Sequence, residues 1–498
     1  MTGRGLLLFA VAALAISAQE IRIVDGPKEE QVLQRSSDNV AECTLKGTVA
    51  GKKLNGKTIE VRVRSSKGIL PDFDWTAAAR IDKTVWTARV KALPTGGPYR
   101  IEARIQGTSA VAAIDNVLVG DLWILAGQSN MEGLGDLVDV QSPDPLVHTF
   151  DMADRWRIAE EPLHNLPGAA DRVHWRTNAQ GELQRLTGQW LQKYEQERKK
   201  GAGLGLPFAV EMVKRTGIPI GLVPCAHGGT SMDQWSPAYK DNGGDSLYGS
   251  MYRRFLEIGG HVKGVLWYQG ESDATPKLVA EFKSKFETFV KTVRSDFNDE
   301  SLPFYYVQIG RHISDTNLVE WNRVQEAQLE AEKEMRHVGM VAAVDLSLDD
   351  GIHVSTPDLK RLGRRLADRV SHDLFPRLKD YGDLKPGPRP VSATFDAGLL
   401  KVQFEGVNRR LIAEGRISGF SIHDAQGRPV PAIYKASVDP AEASTVLLYI
   451  SGKLPEKATL RYGYGKDPYC NVRDGADMAI PAFGPLEIRQ ITAAPTGL

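Results

Sequence analysis

The stretch LWILAGQSNMEG, residues 122–133, begins as a strand and then stops being one. Four apolar residues lead into Ala126 and Gly127, and the polar triplet Gln128-Ser129-Asn130 follows at once. An apolar run of this length without alternation marks a strand buried on both faces. Four more runs of the same texture follow: PIGLVPCA (219–226), GVLWYQG (264–270), FYYVQIG (304–310) and VGMVAAVDL (338–346). Segments of helical character separate them, over 207–215, 246–258, 276–297, 318–336 and 358–374. Strands alternating with helices predict a three-layer α/β domain around a parallel sheet. We place it at 118–378. A long insertion at 135–204 interrupts it, with little periodicity and with Trp156, Trp175 and Trp190.

On either side the texture changes. TIEVRVRSS, VWTARVKAL and PYRIEARIQG alternate apolar and polar residues, so 19–117 reads as a small all-β, sandwich-like domain. KPGPRPVSATF (385–395) carries three prolines in its first six residues, which predicts a linker at 379–391. Alternation resumes in 392–498, a second all-β domain. At the N-terminus, Arg4, an apolar stretch over 6–16 and the small residues Ser17 and Ala18 read as an export signal over 1–18. The expectation is an exported protein, periplasmic or extracellular, and the absence of any Asn-x-Ser/Thr sequon agrees with a bacterial one.

Composition narrows the function. The 498 residues carry a net charge of +0, which gives no basic field for nucleic acid or an anionic membrane. No later apolar run reaches the ~20 residues of a membrane span. Cys43, Cys225 and Cys470 lie far apart, which excludes a disulfide framework and metal-type spacing. Neither H-E-x-x-H, a Walker loop nor a strand-following G-x-G-x-x-G occurs, so no cofactor is expected.

The chemistry gathers at strand ends. Ser129 stands at the carboxyl end of the first core strand, where open α/β sheets bind ligands. A serine nucleophile needs a base, itself oriented by a third group. After the last core strand, DDGIHVS holds Asp350 three residues before His353, and Gly351 allows the tight turn that folds the carboxylate back onto the ring. Asp349 is the alternative orienting group. Gly228-Gly229 can bring backbone N–H groups close to a reacting oxygen, and Gln269 can donate from its amide. The G-x-S-x-G elbow of α/β-hydrolases is excluded, because Met131 occupies the second glycine position.

Together GQSNM, GGTSMDQW, WYQGESD and DDGIHVS resemble the ordered blocks of SGNH/GDSL-type hydrolases, in the branch containing sialate O-acetylesterases and related carbohydrate acetylesterases. The N-terminal β domain and the tail LRYGYGKDPYCNVRDGADMAIPAFGP (460–485) share the resemblance. It implies Ser129 as nucleophile, His353 as base and Asp350 as its orienting group. The oxyanion hole would use the Ser129 and Gly229 N–H groups and Gln269, with Glu271 and Gln128 supporting them from behind. The implied fold is SGNH-hydrolase-like, without metal or cofactor. The implied substrate is an O-acetylated carbohydrate, first a sialate, alternatively an acetylated xylan or other polysaccharide. A catalytically inert secreted glycan-binding protein is the rival reading. Three features depart from the wider pattern: Gln269-Gly270-Glu271 stands where other branches have an asparagine, as is normal for this branch, no proline follows His353, and the 135–204 insertion is left unmatched.

Overall fold

The computed structural model describes residues 19–178 and 180–491, so the expected export signal lies outside the described residues. Two compact units divide the chain. In the first, which includes Ser36–Leu118, the strands Glu20–Asp25, Val40–Ala50 and Val85–Pro94 form one antiparallel sheet. Thr58–Ser65 pairs with Thr76–Arg80 and Gly96–Ile105 in another. Along Val40–Ala50, Ala41, Cys43, Leu45 and Val49 are buried while Glu42 and Lys46 are exposed, the period of two that one covered face imposes.

The second unit takes in Glu30–Arg35 and Val119–Leu498 and is built on a central sheet. Its strands are β1 (Val111–Gly127, from Val119 onward in this unit), β2 (Val147–Phe150), β3 (Trp156–Ile158) and β4 (Ile220–Pro224). β5 (Gly264–Tyr268), β6 (Phe304–Gln308) and β7 (Val338–Ala342) complete it. The order is β3-β2-β4-β1-β5-β6-β7, parallel except for β3. β4 lies on one side of β1 and β5 on the other, so the order of connection reverses at β1. A crevice opens at the carboxyl end of the strand where that happens. Ser129 follows that end directly.

Helices cover both faces: α1 (Gly205–Thr216), α2 (Leu247–Glu257), α3 (Val279–Asp296), α4 (Leu318–Glu334) and α5 (Thr356–Leu374). Trp123 on β1 meets Phe208 of α1 at 5.1 Å and Tyr305 at 6.1 Å. Tyr306 meets Phe286 of α3 at 5.0 Å, and Trp267 meets Phe289 at 4.6 Å. Consecutive strand residues point to opposite faces, so α1 and α3 sit on opposite sides of the sheet. This two-sided cover is why the five strand runs carry no polar alternation.

Two expectations on organisation change. The 135–204 segment is not a plain insertion, because it contributes β2 beside β4 and β3 at the sheet edge. The expected linker already contains the start of strand Arg389–Asp396, which opens an eight-stranded C-terminal sheet. That sheet belongs to the same compact unit as the α/β core. Buried polar contacts join them. Gln308 exchanges two hydrogen bonds with Ala482, at 2.9 and 2.8 Å. Glu332 of α4 accepts from Arg369 at 2.5 Å and from Arg389 at 2.6 Å. All three cysteines are free and buried. Among the described residues, no helix is long and apolar enough to cross a membrane.

Candidate active site

β1 can end where it does only because residue 127 is glycine. Its φ is +131°, and a Cβ there would lie 2.2 Å from the Tyr268 carbonyl oxygen. Gln128 N–H then donates to that same oxygen at 2.8 Å, and the short turn Ser129–Glu132 begins. Ser129 is 7% exposed. Among the described residues, the N–H groups of Ser129 and Gly229 have no protein acceptor. Gly228 stands against Ser129: a Cβ on it would come within 3.3 Å of Ser129 Cβ and 3.0 Å of Glu132 Oε2. Its own N–H donates to Glu132 at 2.7 Å, so Gly228 is committed while Gly229 is free.

Asp350 folds back onto His353. The ring Nδ1 lies 2.8 Å from Asp350 Oδ2, while Oδ1 accepts from the N–H groups of Ile352 at 3.0 Å and His353 at 2.9 Å. Burial works to raise this carboxyl, but the His353 ring and the two N–H groups outweigh it and hold it at about 2. An ionised carboxylate on Nδ1 selects the tautomer whose Nε2 accepts a proton. Asp349 is spoken for elsewhere, accepting from the N–H groups of Asp136 at 2.8 Å and Thr356 at 2.9 Å. Ser129 and His353 line one cleft of about 540 Å³, together with Gln128, Gly228, Gly229 and Glu271.

Side chains behind the cleft tie its loops together. Asn130 donates to Glu271 Oε1 at 2.8 Å and accepts from Val354 N–H at 3.0 Å, which joins the serine, glutamate and histidine loops. Gln128 Oε1 accepts from Ser272 N–H at 3.2 Å. Burial pushes Glu271 up to about 7 against the pull of its Asn130 bond. Burial does the same to Glu132, up to about 7, against its bond from Gly228.

Gln269 departs from expectation. Its Nε2 donates to Thr230 O at 3.1 Å and Asp273 Oδ2 at 2.5 Å, and the residue is 0% exposed. Both amide hydrogens are spent on holding neighbouring loops, so no donor from Gln269 reaches the cleft. The sequence reading also passed over Asn130, Glu132, His312 and Lys466. Only Glu132 carried a local signal, lying three residues after the serine and so one helical turn on. His312 and Lys466 line the cleft from parts of the chain far from any of the four blocks.

Comparison with known proteins places the chain among carbohydrate esterases. The family model described as carbohydrate esterase, sialic acid-specific acetylesterase, matches residues 119–372. A protein named probable carbohydrate esterase, from Arabidopsis thaliana, is 31% identical over 272 residues, 49% of this chain and 88% of its own. The sialate O-acetylesterase of Rattus norvegicus is 23% identical over 462 residues, 76% of this chain and 79% of its own. Among solved structures, a carbohydrate acetylesterase from Xanthomonas citri superposes with a TM-score of 0.61 at 23% identity. That alignment covers 92% of this chain and 97% of the other, and it shows a shared fold.

Proposed function

This chain belongs to the carbohydrate esterase family of sialic acid-specific acetylesterases, and from that premise we propose a serine esterase that removes O-acetyl groups from sialates, using Ser129, His353 and Asp350. The observation that carries the reading is the 2.8 Å bond between Asp350 and His353 Nδ1, on a cleft that Ser129 shares with the ring. Ser129 Oγ attacks the acetyl carbonyl carbon while His353 Nε2 takes its proton. The developing oxyanion is met by the Ser129 and Gly229 N–H groups, each worth about 2.7–4 kcal/mol to the transition state. His353 then protonates the departing sugar oxygen. Water, deprotonated by the same ring, attacks the acetyl-enzyme, and acetate leaves with Ser129 restored. Asp350 stays ionised throughout and stabilises the imidazolium.

Leu134, Ala274 and Ile352 give the cleft apolar surface for an acetyl methyl, and Ser272, Thr275 and Asn317 offer polar groups to sugar hydroxyls. The enzyme acts outside the cytoplasm, a reading supported by the signal-like pattern of residues 1–18.

Acetate release from O-acetylated sialic acid and from acetylated xylan, each with wild type and Ser129→Ala, tests the reading. The variant loses about four to six orders of magnitude in kcat on the sialate while keeping the wild-type melting temperature. Release from xylan alone would move the substrate to neutral polysaccharide. Equal, measurable rates for variant and wild type would remove Ser129 as nucleophile, and no release from either substrate would leave a glycan-binding protein in its place.

A further inference from the structure

Lys466 brings an unbalanced positive charge to the cleft wall. It is 4% exposed and lines the cleft with Ser129 and His353, yet it forms no ion pair with any described residue. A buried ammonium without a counter-charge is costly unless something arrives to pair with it. Its neighbours do not. Asp467, next in sequence, is taken by two bonds from Arg311, at 2.8 and 2.5 Å. Asp350 is taken by His353 and has Lys200 at 3.6 Å. Asp315 acts on Lys466 only through space.

The ammonium is nevertheless held in place. It sits 5.0 Å from the centre of the Trp321 ring, whose Nε1 donates to Gly310 O at 3.0 Å. The loop beneath it is fixed by Asn322, which donates to Gly463 O at 3.1 Å and accepts from Gly465 N–H at 2.8 Å. Lys466 O accepts from His312 N–H at 2.7 Å. Burial, with the fields of Lys466 and His353, pushes the His312 imidazole down. His312 therefore stands near both the catalytic base and the lysine. A positioned cation in a cleft that also presents hydroxyl-binding groups matches an anionic sugar better than a neutral one.

We propose that Lys466 receives the carboxylate of an acidic sugar, so that the cleft selects O-acetylated nonulosonates or uronates over neutral acetylated sugars. The proposal rests on the serine esterase reading for its substrate but not for its test. Turnover is compared between O-acetylated N-acetylneuraminate and the methyl ester of its carboxylate, and between acetylated galacturonate and its methyl ester. Wild type favours the free acid in kcat/KM by about 10- to 100-fold, mostly through KM. Lys466→Gln brings that ratio near one, Lys466→Glu inverts it, and Lys466→Arg keeps most of it, which separates charge recognition from a folding defect. The pair with the larger ratio identifies the sugar. A wild-type ratio near one, or an unchanged ratio in Lys466→Gln, overturns the proposal. If wild type releases no acetate at all, the esterase reading falls. Calorimetric binding of N-acetylneuraminate and its methyl ester to the full chain then decides the lysine alone. Preference for the acid in wild type but not in Lys466→Gln supports it, and equal binding overturns it.

Discussion

Asp350 and Asp349 are adjacent carboxylates with different fates, and the difference is one of partners. Asp350 holds the His353 ring, whereas Asp349 spends Oδ2 on the N–H groups of Asp136 and Thr356. Asp349 is therefore anchored through one oxygen to the backbone of Asp136 and Thr356, while the His353 ring takes its bond from Asp350. Asp350→Asn should lower kcat by about 10³- to 10⁴-fold, through the wrong ring tautomer, with KM little changed. Steady-state hydrolysis of an aryl acetate measures this, and a loss below tenfold would mean another group orients the ring. The spacing D-x-x-H made this pair a candidate, because Gly351 allows the turn that folds the carboxylate back onto the ring, and only its company with three other polar strand ends gave it weight. Gln269 was not legible in the same way. Its sequence position puts it at a strand end, but Asp273, four residues on, captures its amide. Nothing in a linear pattern says which of two nearby acceptors wins.

At the level of elements, the site is a set of loops held in register by Asn130. Asn130→Ala leaves a buried Glu271 oxygen and the Val354 N–H without partners. Each unpaired buried group costs about 1–3 kcal/mol, so we expect destabilisation of about 2–4 kcal/mol. Activity should fall further than stability explains, by about 10- to 100-fold at temperatures where the variant is fully folded. Thermal melting and kcat measured on one preparation check both. The five core strands were legible because cover on both faces leaves uninterrupted apolar runs. β2 was not, since VHTF is short and carries two polar residues, His148 and Thr149. Those polar groups are satisfied locally, His148 Nδ1 by Glu30 O at 2.6 Å and Thr149 Oγ1 by Leu222 O at 3.2 Å. The expected linker failed for a similar reason. Its prolines lie in and before the strand Arg389–Asp396, whose Arg389 reaches into the α/β core.

Across the whole molecule, buried carboxyls set the response to pH. Burial raises Glu132, Glu161 and Glu271 to about 7, above the ordinary value of 4.5. Between those values the folded protein binds more protons than the unfolded chain. The stability these groups contribute is present below about 4.5 and is lost as pH rises through about 7. Glu332 works the other way: burial opposes its ionisation, but Arg389 and Arg369 overcome this and hold it at about 2. Its contribution is present above 4.5 and lost as pH falls towards 2. The melting temperature should therefore peak near pH 5 and decline by pH 8, which calorimetry across that range would show. Glu271→Gln should flatten the alkaline decline, and an unchanged slope would remove Glu271 from its causes. Glu332→Gln should cost about 3–5 kcal/mol at pH 7, because it weakens a buried pairing and leaves two arginines under-compensated.

The ties around Asn130 span 141 residues to Glu271 and 224 residues to Val354. Contacts between such distant parts of a chain form late, since the intervening segments must already be ordered for closure to repay its entropy. Helices and single strands need no such wait. After dilution from denaturant, helical signal should recover before hydrolysis does, and a refolding chain would pass through a period of being well formed yet silent as a catalyst.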